Sequence, residues 1–424
     1  MLNKLKPKSE FSRNVVTLMT GTAIAQAIPM AISPILTRLY TPENFGVFAL
    51  YMSISGILMS ISTARYESAI ILPKQDKDAI NIVVLSILIV LVVSLFTLLI
   101  VSLFNSEITK LIGNKEISTW LYAIPLTIFL SGVYKSLNLW GNRKKKYKLL
   151  STSVVTQSIS TGSLKAGMGF LHLNSSGLIV GTIFGQFSSA FILVVHFFNN
   201  EKKSLQYIKK LKIIALFKKY INFLKFSAPG AFFQTIATNS MSIFINIFFN
   251  TTVVGLYYFA NSMLRAPLNL VFASFAQVYR QKAAELYHKD ISHLIQYTHQ
   301  LQKKILYMLI PFIAFMSLFS PLLFKIVFGE NWEIAGEYVR YFLPLVFFSS
   351  LFTPISSLVD ILGKQKFELY WKVSFFIFQV LSLYISSLYF SFKISILIMS
   401  IFGSLHYIYI NYYLQKVLEK ENDK

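Results

Sequence analysis

Apolar runs of about 20 residues recur along almost the entire chain, separated by short gaps that carry charged or turn-forming residues. A run of this length and composition spans the hydrocarbon core of a bilayer as one α-helix. There are about twelve such runs, and they begin near Val15, Val47, Ile80, Thr119, Leu150, Leu178, Phe223, Val253, Ile305, Val339, Leu369 and Ile394. The sequence therefore predicts an all-α polytopic membrane protein with about 12 transmembrane helices.

The composition excludes an ordinary soluble protein, because 54% of the 424 residues are hydrophobic and only 14% are charged. The net charge of +22 lies in the gaps between the apolar runs and not on a basic soluble module, which argues against a nucleic-acid partner. The absence of cysteine excludes disulfides and thiolate metal sites, and the scattered histidines have no metal-ligand spacing. We predict no metal, no cofactor and no separate enzyme domain.

Residues 36–78 combine a polar turn, an apolar run and a charged exit. Pro42 and Gly46 disfavour continuation of the preceding helix, and Thr41 is a suitable N-cap for the next one. The apolar run covers residues 47–64. A charged cluster from Arg65 to Asp78 follows, and because charges are costly in hydrocarbon, this cluster marks where the helix leaves the membrane.

Lysine and arginine are distributed unevenly between the gaps. Alternate gaps, beginning with the N-terminus, carry roughly 29 positive charges, against about 4 in the gaps between them. The positive-inside rule makes the rich side cytoplasmic, so we expect both termini and Arg65 on that side. The outer gaps are short, which disfavours the outer catalytic loop of a membrane-bound glycan polymerase.

An internal repeat is visible when the chain is displaced by about 209 residues. FGVFALYMS at residues 45–53 then lies on VGLYYFANS at residues 254–262, with Gly46 on Gly255. The copies begin in the second and the eighth run, so an even number of spans separates them and the two halves would have the same orientation in the membrane. We predict an N-terminal lobe of residues 1–210 and a C-terminal lobe of residues 211–424; the alternative is chance similarity between apolar segments.

Four segments, taken together, resemble signatures of the Wzx-type oligosaccharide flippases. They are LTRLYTPENFGVFALY at 36–51, ARYESAIILPKQDKDA at 64–79, FGENWEIAGEYVR at 328–340 and ILGKQKFELYW at 361–371. These flippases belong to the multidrug/oligosaccharidyl-lipid/polysaccharide exporter superfamily, and the similarity extends over essentially the whole chain. The resemblance implies a MATE-like fold, with two six-helix lobes around a central cavity.

The resemblance also implies what is moved. The substrate would be an oligosaccharide on undecaprenyl diphosphate, carried by alternating access to the outer leaflet of the bacterial cytoplasmic membrane. The glycan would serve a surface polysaccharide such as O antigen or capsule. Other membrane proteins of polysaccharide assembly would be further partners, and no bond need be made or broken, so we predict that the chain is not an enzyme.

Moving a diphosphate across hydrocarbon requires cations inside the membrane, so the candidate residues are arginines and lysines within the spans that have no acid nearby. Arg265 lies ten residues after Gly255, some 15 Å into the eighth span, where a guanidinium can contact phosphate oxygens in a bidentate way. The alternative is an arginine bonded to helix carbonyls beside Pro267. Lys165 lies in the polar fifth span and is the second candidate for substrate binding. The alternative role is that its side chain snorkels to the outer headgroups.

Arg65 and Glu67 complete the predicted substrate-binding residues. They are close together at the predicted cytoplasmic end of the second span, where Arg65 could receive the diphosphate. The alternative is pairing with loop charges. The rival function is an ion-coupled multidrug exporter, which would be expected to use a buried carboxylate, but the first span, residues 15–37, contains none.

Overall fold

The computed structural model describes residues 10–422, and this part of the chain is helical without any β-strand. The helices are α1 Glu10–Leu39, α2 Pro42–Met59, α3 Asp76–Ile112, α4 Ile117–Leu121, α5 Ile124–Arg143, α6 Tyr147–Phe170, α7 Asn174–Asn200, α8 Lys202–Leu205, α9 Lys210–Lys219, α10 Ala228–Asn239, α11 Met241–Phe248, α12 Thr251–Lys289, α13 Ile291–Phe328, α14 Glu333–Phe352, α15 Leu358–Ile361, α16 Gln365–Ser387 and α17 Phe392–Asn422. Every predicted apolar run begins in one of these helices or, at Phe223, in a π-helical turn that leads into α10.

Eight helical segments within residues 10–422 are long and apolar enough to cross a membrane by length and composition. The remaining predicted spans fall in α2, α6, α10 with α11, and α12, which are helical but shorter or less apolar. The all-α polytopic fold predicted from the sequence is confirmed.

The first compact unit covers Met1–Ile247, and we call it unit 1. In its described part, α6 packs along both α1 and α7. Glycines allow this close approach, because a Cβ at Gly162 would collide with Ile32 of α1 and a Cβ at Gly185 of α7 would collide with Thr161. Small residues at such contacts are the usual way for helices to associate in lipid. The polar fifth span is therefore covered by protein on two sides.

The second compact unit covers Phe248–Lys424, and we call it unit 2. Here α14 packs against α12, α13 and α17, and α16 packs against α17. The ring of Phe259 on α12 lies 4.5 Å from that of Trp332 and 4.9 Å from that of Phe328, measured between centroids. Phe259 and Trp332 are almost completely buried. This aromatic cluster fixes the first half of α12 against the turn between α13 and α14. The predicted lobe boundary after residue 210 stays a prediction.

The two helices of the proposed repeat begin with equivalent caps. The hydroxyl of Thr41 accepts a hydrogen bond from the Asn44 amide at 3.3 Å in a capping box, so the predicted N-cap is confirmed. The side chain of Asn250 accepts the corresponding bond from the Val253 amide at 2.9 Å. Positions 41 and 250 differ by the same displacement of about 209 residues that aligns the apolar runs. The caps therefore support the repeat independently of its apolar residues.

The helix of the first copy ends earlier than the sequence predicts. α2 stops at Met59, although the apolar run continues to residue 64. The hydroxyls of Ser60 and Ser62 donate to backbone carbonyls three residues back, and such bonds compete with the helical pattern. Ala64 and Arg65 then adopt φ angles of 49° and 64°, which lie outside the helical range. In the second copy, α12 continues to Lys289.

Candidate substrate-contact residues

Lys165 is half-buried on α6 of unit 1. Its ammonium lies 4.1 Å from the centroid of the Phe48 ring on α2. No carboxylate in the described part of the chain lies within 4.0 Å of this ammonium. The aromatic face stabilises the cation by about 0.5–2 kcal/mol but leaves its charge uncompensated.

Two neighbouring helices fix the position of Lys165. Tyr40, directly after α1, donates its hydroxyl to the Lys165 carbonyl at 2.7 Å. Gly181 on α7 leaves room for the side chain, because a Cβ at that position would lie 2.7 Å from the Lys165 Cγ. The lysine is therefore held by α1 and α7 while its ammonium lies against α2.

Arg65 and Glu67 lie where α2 gives way to a short 3₁₀ helix, Tyr66–Ile71. The structure brings them together, with Arg65 Nη1 3.6 Å from Glu67 Oε1. The Arg65 side chain is 43% exposed, whereas that of Glu67 is 7% exposed and also accepts a hydrogen bond from the Thr63 hydroxyl. The carboxylate is thus occupied by internal partners, and the guanidinium remains accessible to an anion.

The backbone of this segment is strained. Ala64 and Arg65 are consecutive residues in the left-handed region, which costs a residue with a Cβ roughly 1–2 kcal/mol. Tertiary contacts of the next residue hold this conformation: the Tyr66 hydroxyl donates to the Phe217 carbonyl at 2.9 Å, and the two rings stack with centroids 5.5 Å apart. Strain of this kind is often found at functional segments.

A further lysine, Lys135, contacts the end of α2. It lies on α5, and its ammonium donates to the Met59 carbonyl at the end of α2 over 2.6 Å. It also interacts electrostatically with Glu67 and Arg65. We call Arg65, Glu67 and Lys135 the Arg65 cluster, which combines two cations with one carboxylate. Local sequence could not reveal it, because Lys135 comes from a different helix than its partners.

Arg265 is half-buried on α12 of unit 2. Its Nε donates to the side-chain oxygen of Asn261, one turn earlier, at 2.8 Å. The guanidinium carbon lies 5.3 Å from the centroid of the Phe342 ring on α14. Within residues 10–422, no carboxylate pairs with the guanidinium, and its two Nη groups donate no hydrogen bond. The two Nη groups are therefore available for a bidentate contact with an anion.

Aromatic residues complete the surroundings of Arg265. Tyr257 packs edge to face on Phe342, with centroids 5.8 Å apart, and interacts electrostatically with Arg265. Tyr407 of α17 has the same electrostatic interaction, and sequence reasoning missed it. Its only sequence signal is its position in an apolar run, which many aromatic residues of this chain share.

The predicted site residues thus fall into separate groups. Arg65 and Glu67 form one pair, Lys165 lies on α6 of unit 1 against Phe48, and Arg265 belongs to unit 2. The part of the chain that the structure describes contains no group of three or more histidine, aspartate or glutamate residues placed to hold a metal ion.

The sequence matches a family model described as polysaccharide biosynthesis protein over residues 35–336, which is most of the chain. The chain belongs to this polysaccharide biosynthesis family. The match confirms the family resemblance predicted from the four sequence signatures. No curated protein matches the sequence.

Several solved structures share the fold of this protein over nearly its full length. An inward-facing multidrug resistance MATE family transporter of the MOP superfamily superposes with a TM-score of 0.72 at 13% identity, covering 94% of this chain and 96% of that chain. A MOP superfamily transporter from Pyrococcus furiosus, described as having a binding pocket of reverse polarity, gives 0.61 at 12% identity and 96% coverage of both chains. A MATE in complex with MaL6 gives 0.61 at 14% identity, again with 96% coverage of both. The protein therefore has the fold of a multi-pass membrane transporter.

Proposed function

We propose that this protein is a flippase that moves an undecaprenyl-diphosphate-linked oligosaccharide from the cytoplasmic to the outer leaflet of the bacterial cytoplasmic membrane. Membership of a polysaccharide biosynthesis family supports a saccharide substrate, and the transporter fold supports movement without bond chemistry. The observation that carries the proposal is the presence of two half-buried cations, Lys165 and Arg265, that no carboxylate in residues 10–422 neutralises.

Such cations lower the main energetic barrier to flipping. A diphosphate is costly to place in hydrocarbon, whereas its isoprenoid tail can stay in the bilayer. At an effective dielectric constant of about 20, opposite unit charges 4 Å apart attract by about 4 kcal/mol. Arg265 can bind phosphate oxygens through its two Nη groups, and Lys165 acts as a point charge. The diphosphate of the carrier would lose hydrating water and gain contacts with these cations, while alternating access moves it across the membrane.

The Arg65 cluster fits an earlier step. Its guanidinium is exposed and, by the charge distribution of the gaps, lies on the cytoplasmic side, where the lipid-linked glycan is made. Two cations and one carboxylate leave a net positive charge, which attracts an anionic headgroup. Arg65 would therefore receive the carrier before Lys165 and Arg265 contact it.

Gene deletion tests the proposal as a whole. Loss of the flippase should remove surface glycan and make undecaprenyl-linked oligosaccharide accumulate on the cytoplasmic face, and a plasmid copy should reverse both effects. The MATE-like fold favours multidrug export as the second candidate function. Unchanged surface glycan together with increased drug sensitivity would establish that alternative in place of flipping.

Arg265 provides the residue-level test. Arg265→Ala should abolish complementation of the deletion strain while the protein still reaches the membrane, because the phosphate contact is lost. Arg265→Lys should retain part of the activity, since the charge remains but the bidentate geometry does not. Lys289→Ala is the matched control, because Lys289 lies on the same helix but pairs with Glu285 at the exposed end. Full complementation by Arg265→Ala would remove Arg265 from the substrate path.

A further inference from the structure

A groove of about 520 Å³ lies within unit 2 between α13, α14 and α17. On α13 it is lined by His299, Gln302, Lys303 and Leu306. These residues are spaced at i, i+3, i+4 and i+7, so they form one face of the helix. α17 contributes a matching face with the same spacing that begins at Ile408. The groove is therefore a regular feature of the helix packing.

The groove changes from polar to apolar along its length. Its polar end contains Lys303, in the first half of α13, and Gln415, in the last third of α17. Leu306 and Ile408 lie further from that end, with Ile408 about 10 Å along α17 from Gln415. Phe348 of α14 adds to the apolar part. A molecule that fills this groove needs a polar head and an apolar tail.

The polar end carries positive charge and is held together by hydrogen bonds. Lys303 and His299 supply nitrogen donors, and among residues 10–422 no aspartate or glutamate lines the groove. Lys303 is exposed and forms no ion pair with the described residues. Gln302 donates to Asn411 at 3.0 Å and accepts from Gln415 at 3.3 Å, which connects α13 to α17 at this level. The head of the bound molecule should therefore be an anion.

We infer that this groove binds an anionic phospholipid of the adjacent leaflet, with the phosphate at Lys303 and an acyl chain along Leu306, Phe348 and Ile408. Basic pockets between transmembrane helices are known to suit anionic lipid headgroups. One lysine with a neighbouring histidine matches a single phosphate, whereas the carrier proposed above brings two phosphates and a hydrated glycan. A lipid bound in this way would stabilise the contact between α13 and α17, so this inference does not depend on the transported substrate.

Thermal unfolding of the full-length protein in detergent tests the site. Phosphatidylglycerol should raise the Tm of the wild type more than phosphatidylethanolamine does, because a ligand that binds only the folded state stabilises it. Lys303→Gln should abolish this difference. Lys304→Gln is the matched control: Lys304 is the exposed neighbour, lies 5.6 Å from the Phe275 ring and does not line the groove, so this variant should respond like the wild type.

A second variant tests the apolar half without changing any charge. Ile408→Trp should fill the groove and reduce the phosphatidylglycerol response, since Ile408 is partly exposed there. The inference is wrong if Lys303→Gln responds like the wild type or if both phospholipids act equally on the wild type. It is also wrong if undecaprenyl diphosphate raises the Tm through Lys303 and phosphatidylglycerol does not, because the groove would then belong to the substrate path.

Discussion

At the scale of single residues, Lys165 combines a cost in stability with a proposed role in transport. A half-buried ammonium that lies against the Phe48 ring and pairs with no carboxylate among residues 10–422 is expensive to keep. Lys165→Leu should therefore leave the Tm unchanged or raise it, while glycan translocation falls at least about tenfold, equivalent to about 1.4 kcal/mol of barrier. Lys165→Arg should preserve activity. Complementation assays and thermal unfolding measure the two effects, and a leucine variant with full activity would make Lys165 a structural residue.

The candidate residues were predictable only in part. Sequence reasoning could select Arg265 and Lys165, because a basic residue inside an apolar run is conspicuous by itself. It could not supply the ring of Phe48 beside Lys165 or the ring of Phe342 beside Arg265, because these contacts depend on how helices rotate and pack. The bond from Lys135 to the Met59 carbonyl is likewise tertiary and cannot be read from the sequence.

At the scale of elements, the turn after α2 gives a prediction about strain. Ala64→Gly should raise stability by about 0.5–1 kcal/mol, because relief of the left-handed penalty exceeds the entropic cost of glycine. Ala69 is the matched control, since it is also buried but lies in the following 3₁₀ helix with an ordinary backbone. Ala69→Gly should lower stability by about 0.5–1 kcal/mol. Equal losses in both variants, measured by thermal unfolding, would contradict a strained turn.

The helices themselves were predictable because the signals for them are local. Hydropathy locates each apolar run, and Thr41 has both the residue type and the position of an N-cap, which the structure confirms. The end of α2 was not predictable in the same way. Apolar composition continues past Met59, and the break depends on serine hydroxyls together with the tertiary contacts of Tyr66. Ends of helices that depend on such contacts cannot be read from composition.

At the scale of the whole molecule, the repeat and the charge distribution make one joint prediction about topology. Equivalent N-caps at Thr41 and Asn250 begin helices in unit 1 and unit 2, and an even number of spans between them requires both copies to have the same orientation. The natural chain has no cysteine. Single cysteines can therefore report the side of each gap without any background substitution.

Four exposed positions are suited to this measurement: Lys74, Lys115, Lys366 and Ser391. Cysteines at positions 115 and 391 should react with a membrane-impermeant maleimide in intact cells, and those at positions 74 and 366 should react only after permeabilisation. Each unit thus has one position on either side of the membrane: 74 and 115 in unit 1, and 366 and 391 in unit 2. The labelling of one pair serves as the control for the other. If the unit 2 pair labels in the reverse pattern while the unit 1 pair labels as expected, the two halves are inverted repeats, and the parallel arrangement with both termini in the cytoplasm is wrong.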